Sequence, residues 1–461
     1  MSTTVPEQKT YSGKFRAAFN EFIYKSPARI ALFAFAAVTI FFTLLLMQPW
    51  ASHGNGHVPF HHALFVATSA TTVTGLTSVD TAKVWTAEGQ AVIMAAIQTG
   101  GLGIMTIAAL LLLFVSKGLG VGGKVMAMNA TAANHLGDVG HLLRLIITRA
   151  LAIEAIIAVL LFPRFLMRGL SFQDSLWKSI FYSISAFNNA GFCIDEGGLD
   201  LYTNDYWICT VIMAAVFVGS LGFPVFMVIR IHRFRWKEWN LHAKLTMVTT
   251  VALVIVGTIL YYFFEGRNTM TFGNMAWPER LFNALFASVN TRSGGFNLVD
   301  IDSMRESSHV VSDMLMFIGG GSSSTAGGIK VTTFAVLMLA VVAEAKGNDD
   351  IQAFKRRIPE TVLRQAISVL VLGATLVAVS VAWISLVTAI SLDRVLFEVI
   401  SAFGTCGLTV GVSAELPPEG LYILSALMFA GRVGSVTLAA ALALRQSKQF
   451  YRNAEERPAI G

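Results

Sequence analysis

The sequence predicts an all-α polytopic membrane protein. It reads as four helix–pore loop–helix repeats around a pseudo-fourfold axis, with eight membrane-spanning helices and four re-entrant pore helices. Three observations carry this reading. Of 461 residues, 54% are hydrophobic and only 13% charged, with mean hydropathy +0.63, whereas soluble domains carry about 25% charged residues. Apolar runs long enough to cross a bilayer, about 20 residues each, occur eight times. A glycine-bearing turn recurs four times at nearly constant spacing. The same composition excludes an ordinary cytoplasmic enzyme, a disordered chain and a nucleic-acid binder. Membrane topology accounts for the +6 net charge and the pI near 9.2. Cys193, Cys209 and Cys406 stand in no disulfide or zinc spacing. The basic leader before the first run has no small-residue cleavage site, so no signal peptide is expected.

The long runs fall at 30–49, 88–115, 144–163, 205–229, 245–264, 309–343, 364–388 and 420–444. Within each successive pair lies a shorter apolar stretch: 60–71, 174–187, 279–290 and 392–403. These are too short to span and read as re-entrant helices. The repeats are then 30–115, 144–229, 245–343 and 364–444, with the second helix of the third broken at 319–328. The leader 1–29, the connectors 116–143, 230–244 and 344–363, and the tail 445–461 lie outside them.

A small-residue turn follows each short stretch. The turns read Thr72-Val73-Thr74-Gly75-Leu76, Asn188-Asn189-Ala190-Gly191-Phe192, Arg292-Ser293-Gly294-Gly295-Phe296 and Gly404-Thr405-Cys406-Gly407-Leu408. Their glycines are 116, 104 and 112 residues apart, and a near-constant period marks internal repetition. Ser185-Ala186-Phe187 and Ser401-Ala402-Phe403 echo one another ahead of two of them, with Phe286-Ala287-Ser288 near a third.

Basic residues set the orientation. The leader, connectors and tail with their flanks hold 22 of the 34 lysines and arginines, and the segments within repeats hold eight. The excess marks the cytoplasmic side, so both termini are expected there and the short helices dip from outside. Irregular backbone at membrane depth survives only where protein buries it or where it lines a water-filled path. Four such turns meeting on an axis offer rings of carbonyls to a desolvated cation. Glycine supplies the φ > 0 conformations that aim them, and helix C-terminal dipoles add to the attraction. The expected filter residues are Val73, Thr74, Gly75, Asn189, Ala190, Gly191, Ser293, Gly294, Gly295, Thr405, Cys406 and Gly407.

Gly319 to Gly328 holds five glycines and no bulky side chain. Each glycine costs a helix interior about 0.5–1 kcal/mol relative to alanine, and Ser322-Ser323-Ser324 after Gly319-Gly320-Gly321 argues against a continuous helix. The run reads as a helix broken in mid-membrane, beneath the turns. Arg432 stands within the last apolar run, where a charge is costly and usually faces a polar interior.

The four repeats resemble the Trk/Ktr/HKT superfamily of potassium transporters, over nearly the whole chain. Phe317-Ile318-Gly319-Gly320-Gly321-Ser322-Ser323-Ser324-Thr325-Ala326-Gly327-Gly328-Ile329-Lys330 is similar to that family's intramembrane loop, and Gly431-Arg432-Val433-Gly434 is a second marker. With the first long run starting near 30, the pattern is most similar to KtrB-type subunits. The resemblance implies potassium uptake through a filter with one key glycine per repeat, the second filter being the most divergent. It implies a gate made by Gly319, Gly320, Gly321, Ser322, Ser323, Ser324, Thr325, Gly327, Gly328, Lys330 and Arg432. It further implies a homodimer, a KtrA-like cytoplasmic ring carrying ATP or ADP, sodium dependence as a family trait, and a lipid-embedded place in the bacterial plasma membrane. It implies potassium as the substrate and no cofactor in the chain itself.

Other features weigh less. Gly118-Leu119-Gly120-Val121-Gly122-Gly123 has dinucleotide spacing without a preceding strand, and reads as a connector. Arg292 beside the third turn is expected to brace it, with Glu398 as partner. Glu154 reads as an interhelical partner or an ion ligand. His61, His62, Trp85 and Trp207 read as interfacial anchors. An alternative function is a coupled secondary transporter of another cation or small solute with a midplane site. Repeats that all dip from one side argue against it. No His-Glu-x-x-His, paired Asp or serine with a nearby histidine supports an intramembrane enzyme.

Overall fold

The computed structural model describes residues 27–54, 57–118, 139–233 and 235–434. The leader to residue 26, most of the first connector, with Leu119 to Gly123 of the dinucleotide-like stretch, the end of the run 420–444 from residue 435, and the tail 445–461 lie outside the described residues.

The segment read from the sequence as the first repeat contains α1 (Pro27–Leu46), α2 (Phe60–Thr72) and α3 (Ala87–Gly118), and the other three segments are numbered the same way. The second contains α4 (Val139–Met167), α5 (Phe172–Phe187), α6 (Tyr206–Leu221) and α7 (Phe223–His232). The third runs through α8 (Leu241–Glu265), α9 (Trp277–Asn290), α10 (Glu306–Phe317) and α11 (Val331–Ala345). The fourth has α12 (Glu360–Val387), α13 (Leu392–Gly404) and α14 (Pro418–Phe429), which passes into a π-helical turn, Ala430–Gly434. Helix starts follow local chemistry. The Ser171 hydroxyl accepts the Asp174 amide at α5, and Asn240 accepts the Ala243 amide at α8, each satisfying a backbone donor of the first turn.

Among the described residues, three helices are long and apolar enough to cross a membrane: Arg144–Met167, Leu241–Glu265 and Glu360–Val387. The pair α6 and α7 counts as a fourth when taken together. In the three spans only 28%, 28% and 22% of the apolar window is buried, so their hydrophobic faces point outward, as at Phe263 and Leu386. The interior inverts the usual pattern. Thr68, Ser69, Thr72, Thr74, Asn188, Asn189, Asn290, Ser293, Ser401 and Thr405 are all buried. One apolar cluster joins the first two repeats and another the last two, with Phe65 and Leu76 of the first repeat closing the circle.

Four sequence expectations change. The run 205–229 is bent by 96° between α6 and α7. Gly222 sits at the bend with φ +89 and ψ 150, a region open to glycine, and Pro224 stands in the first turn of the next helix. The connector 344–363 is not wholly irregular, because Gln352–Ala353 pairs antiparallel with Arg356–Arg357. Trp85 is fully buried in the apolar cluster rather than anchoring an interface; Trp207 is half exposed, with its indole donating to the Leu160 carbonyl. Arg292 and Glu398 do not pair, as described below.

Candidate functional site

The four short helices α2, α5, α9 and α13 end at the four glycine turns. All four glycines have left-handed φ: +98 at Gly75, +68 at Gly191, +72 at Gly295 and +94 at Gly407. The residue two before each glycine also has positive φ: Val73 (56), Asn189 (61), Ser293 (136) and Thr405 (46). For β-branched Val73 and Thr405 this is a genuine outlier. Such strain persists only where the surroundings over-determine it, and it clusters at functional sites.

The turns close into a ring in chain order. A Cβ added to Gly75 would overlap the Ala190 carbonyl oxygen and crowd Gly191. One on Gly191 would lie 2.9 Å from Gly295 Cα, and one on Gly295 would lie 2.6 Å from the Cys406 carbonyl oxygen. One on Gly407 would overlap the Thr74 carbonyl oxygen, which returns the circle to the first repeat. The predicted filter residues of all four repeats are thus brought together. Ser293 Oγ donates to the Thr405 carbonyl at 3.2 Å, and Cys406 Sγ to that of Thr291 at 3.1 Å.

Behind the ring, serines six residues ahead of the glycine recur. Ser69 Oγ accepts the Gly75 amide at 3.0 Å, and Ser401 Oγ accepts the Gly407 amide at 3.1 Å. Ser185 holds the same position in the second repeat, but donates to the Phe192 carbonyl at 2.9 Å. The third repeat has Val289 there. Sequence reasoning missed these braces, although the Ser185-Ala186-Phe187 and Ser401-Ala402-Phe403 echoes were their signal. Glu398 is a second hub. Its carboxylate accepts from Thr409 Oγ1 at 2.9 Å and from the Ser413 amide at 3.0 Å, pinning the chain that leaves the fourth turn. It is therefore already engaged and does not meet Arg292.

The non-helical stretch between α10 and α11 lies against three of the turns. Its ends run side by side, with the Gly319 amide donating to the Ile329 carbonyl at 2.8 Å and the Val331 amide to that of Gly320 at 3.1 Å. Arg292, beside the third turn, donates to the carbonyls of Gly319 (3.2 Å) and Thr250 (3.3 Å). Thr325 Oγ1 reaches the Phe187 carbonyl at 3.4 Å, and a Cβ on Gly327 would overlap Thr405 of the fourth turn. The loop also fills the α6–α7 bend: the Gly321 amide donates to Ser220 (2.8 Å) and the Phe223 amide to Ser323 (3.2 Å). Ser324 Oγ donates to the Gly321 carbonyl at 2.6 Å, and the hydroxyls of Ser322 and Thr332 lie 3.2 Å apart. Gly328 has φ +65 where the chain turns back. Lys330 Nζ donates to the Ala326 carbonyl at 2.6 Å, and Arg432 Nη1 donates to the Thr325 carbonyl. The expected loop residues, Lys330 and Arg432 therefore form one assembly directly against the ring.

Residues 35–452 match the family model TrkH, described as a cation transport protein. Ktr system potassium uptake protein B of Bacillus subtilis (strain 168) is 35% identical over 412 residues, covering 89% of this chain and 92% of its own. The protein of the same name from Vibrio alginolyticus is 34% identical over 422 residues, covering 90% and 91%. Potassium/sodium uptake protein NtpJ of Enterococcus hirae is 33% identical over 443 residues, covering 95% and 97%. The crystal structure of the potassium transporter TrkH from Vibrio parahaemolyticus aligns with TM-score 0.69 at 17% identity, covering 88% of this chain and 83% of that one. That likeness concerns the fold alone.

Proposed function

The chain belongs to the TrkH family of cation transport proteins, and from that premise we propose that it takes up potassium across a bacterial plasma membrane. The observation that carries this is the closed ring of four left-handed glycine turns, each packed on the next repeat's backbone. Positive φ at both Val73 and Gly75, and at their three counterparts, aims carbonyls toward a common axis, where they replace the hydration shell of a desolvated cation. The filter is then Val73, Thr74, Gly75, Asn189, Ala190, Gly191, Ser293, Gly294, Gly295, Thr405, Cys406 and Gly407. The C-terminal ends of α2, α5, α9 and α13 add negative potential there.

Below the filter, the loop from Gly319 to Gly328 with Lys330 and Arg432 acts as the gate. Its bonds to the α6–α7 bend, to Arg292 and to Arg432 hold it across the path. The relatives named as Ktr system proteins support the rest of the reading. The chain works as a homodimer with a KtrA-like cytoplasmic regulatory ring that binds ATP or ADP. Its four repeats supply eight spans and four re-entrant helices, with both termini in the cytoplasm. The relative named for both potassium and sodium uptake supports a sodium dependence.

The test is ion flux into proteoliposomes of the purified protein, with and without the regulatory partner. Potassium and rubidium uptake well above sodium uptake is expected. Equal passage of all three ions, or none of any, rejects the filter reading.

A further inference from the structure

Behind the second turn lies a polar triangle that the filter-and-gate reading leaves unused. Glu154, in the middle of α4, is buried at 4% exposure. Its Oε1 accepts from Asn188 Nδ2 at 2.9 Å, and its Oε2 accepts from Gln98 Nε2 at 2.9 Å. Asn188 Nδ2 also lies 3.1 Å from Gln98 Oε1 and 3.0 Å from the Ile184 carbonyl. Three side chains from α3, α4 and the C-cap of α5 thus close on one another. Gly101 makes room for them, since a Cβ there would overlap the Asn188 side-chain amide.

No lysine or arginine pairs with Glu154 among the described residues. A carboxylate at membrane depth is costly, and this one is satisfied by two amides instead of a cation. Both its oxygens are engaged, so it is not free to ligate an ion. Asn188 is fully buried and immediately precedes Asn189, whose backbone is left-handed. The second turn also lacks the brace of the first and fourth, because Ser185 bonds the Phe192 carbonyl rather than the glycine amide. Asn188 anchors its start, and Glu154 holds the Asn188 amide together with Gln98 and the Ile184 carbonyl.

We propose that Glu154 is the positioning residue of the second filter segment: through the side-chain amide of Asn188 it sets the peptides from Asn189 to Gly191, and with them the ring's discrimination between potassium and sodium. This rests on the filter reading given above.

The test compares potassium and sodium uptake in proteoliposomes of the full chain with its regulatory partner, for wild type, Glu154→Leu, Glu154→Gln, Asn188→Leu and the double variant Glu154→Leu/Asn188→Leu. Glu154→Leu is expected to raise the KM for potassium about tenfold and to cut potassium-over-sodium discrimination about tenfold. Glu154→Gln keeps an acceptor for the Asn188 amide and is expected to stay within about threefold of wild type. The double variant should fall no further than either leucine variant, as for residues acting as a unit. A role confined to helix packing would lower yield and leave KM and discrimination untouched, and that result in a monodisperse Glu154→Leu overturns the proposal. If Glu154→Leu is not recovered folded, Asn188→Leu decides: wild-type discrimination overturns the proposal, and a tenfold loss supports it. Gly191→Ser separates the two readings. If it too leaves discrimination intact, along with serine at Gly75, Gly295 and Gly407, the filter assignment falls; if it lowers discrimination while both leucine variants keep it, only the role of Glu154 falls.

Discussion

The Arg432 guanidinium donates to the carbonyl of Thr325, 107 residues earlier in the chain. Lys330 Nζ donates to the next carbonyl, that of Ala326, at 2.6 Å. Two cations therefore hold adjacent peptides of the loop that lies against the glycine ring. Arg432 comes this close because it sits in a π-helical turn and because Gly431 before it has no side chain: a Cβ there would overlap the Phe403 carbonyl. The arginine is both a buried positive charge against the loop and the clasp that holds it.

Arg432→Gln is expected to raise maximal potassium flux several-fold, with a smaller change in selectivity. In a path of low dielectric a fixed charge repels a passing cation far more strongly than it does in water. Glutamine removes that charge while keeping a polar side chain at the position. Flux and potassium-over-sodium discrimination measured in the same proteoliposomes check this. Unchanged flux in a folded variant would show that Arg432 is no barrier.

Serine at Gly75, Gly191, Gly295 or Gly407 is expected to lower potassium-over-sodium discrimination about tenfold or abolish uptake. An L-residue held at these φ values costs about 1–3 kcal/mol, and its Cβ meets the neighbouring repeat's backbone. Crowding is least at Gly191, where the nearest atom would be 2.9 Å away, so Gly191→Ser should be the mildest of the four. Wild-type affinity and selectivity in all four variants would remove the filter assignment.

Composition and period made the short helices, the glycine turns and the broken third-repeat helix legible, because small residues after an apolar stretch too short to span allow few other structures. The bend at Gly222 was equally local, signalled by Gly222-Phe223-Pro224, yet the surrounding apolar run masked it. Partnerships were not legible. Arg292 turned from Glu398 to the Gly319 carbonyl, because Thr409 and Ser413 close to Glu398 in sequence satisfy it first. Gln98 drew no attention on its apolar helix, since nothing local says that Asn188, 90 residues away, needs an acceptor. Trp85 looked interfacial by residue type, and only packing from several elements buries it.

Asp205 caps α6 one residue ahead of the span that begins at Tyr206, and predicts an acid sensitivity. Burial pushes its carboxyl upward, but hydrogen bonds from Arg164 and Arg168 and from the Ile208 amide carry it below the ordinary aspartate value. The unfolded chain therefore takes up the proton first as pH falls. The stabilisation is present in full at neutral pH and disappears as pH drops below about 4 toward the depressed folded value. Asp205→Asn should cost about 1–3 kcal/mol at pH 7, between a surface pair and a fully buried one, since the arginines are partly exposed. Thermal melting in detergent checks it: the gap between wild type and variant should narrow toward pH 3, and a constant gap would contradict it.

Deleting Gly321 to Gly327 should raise potassium flux and lessen dependence on the regulatory partner, while leaving selectivity near wild type. It removes the contacts with Ser220, Phe187 and Thr405 that hold the loop under the ring, together with the Thr325 carbonyl that Arg432 clasps. It leaves intact the serine braces of Gly75 and Gly407 above, so discrimination has no reason to change. In the intact chain a regulator can shift the loop between states only by binding one of them more tightly. The strain would pass through Lys330 and α11 to the hairpin at 352–357 on the connector face. Flux with and without the partner, with folding followed by size-exclusion chromatography, separates the outcomes. A well-folded deletion variant with low, fully partner-dependent flux would place the gate elsewhere and leave the loop as packing between α6, α10 and α13.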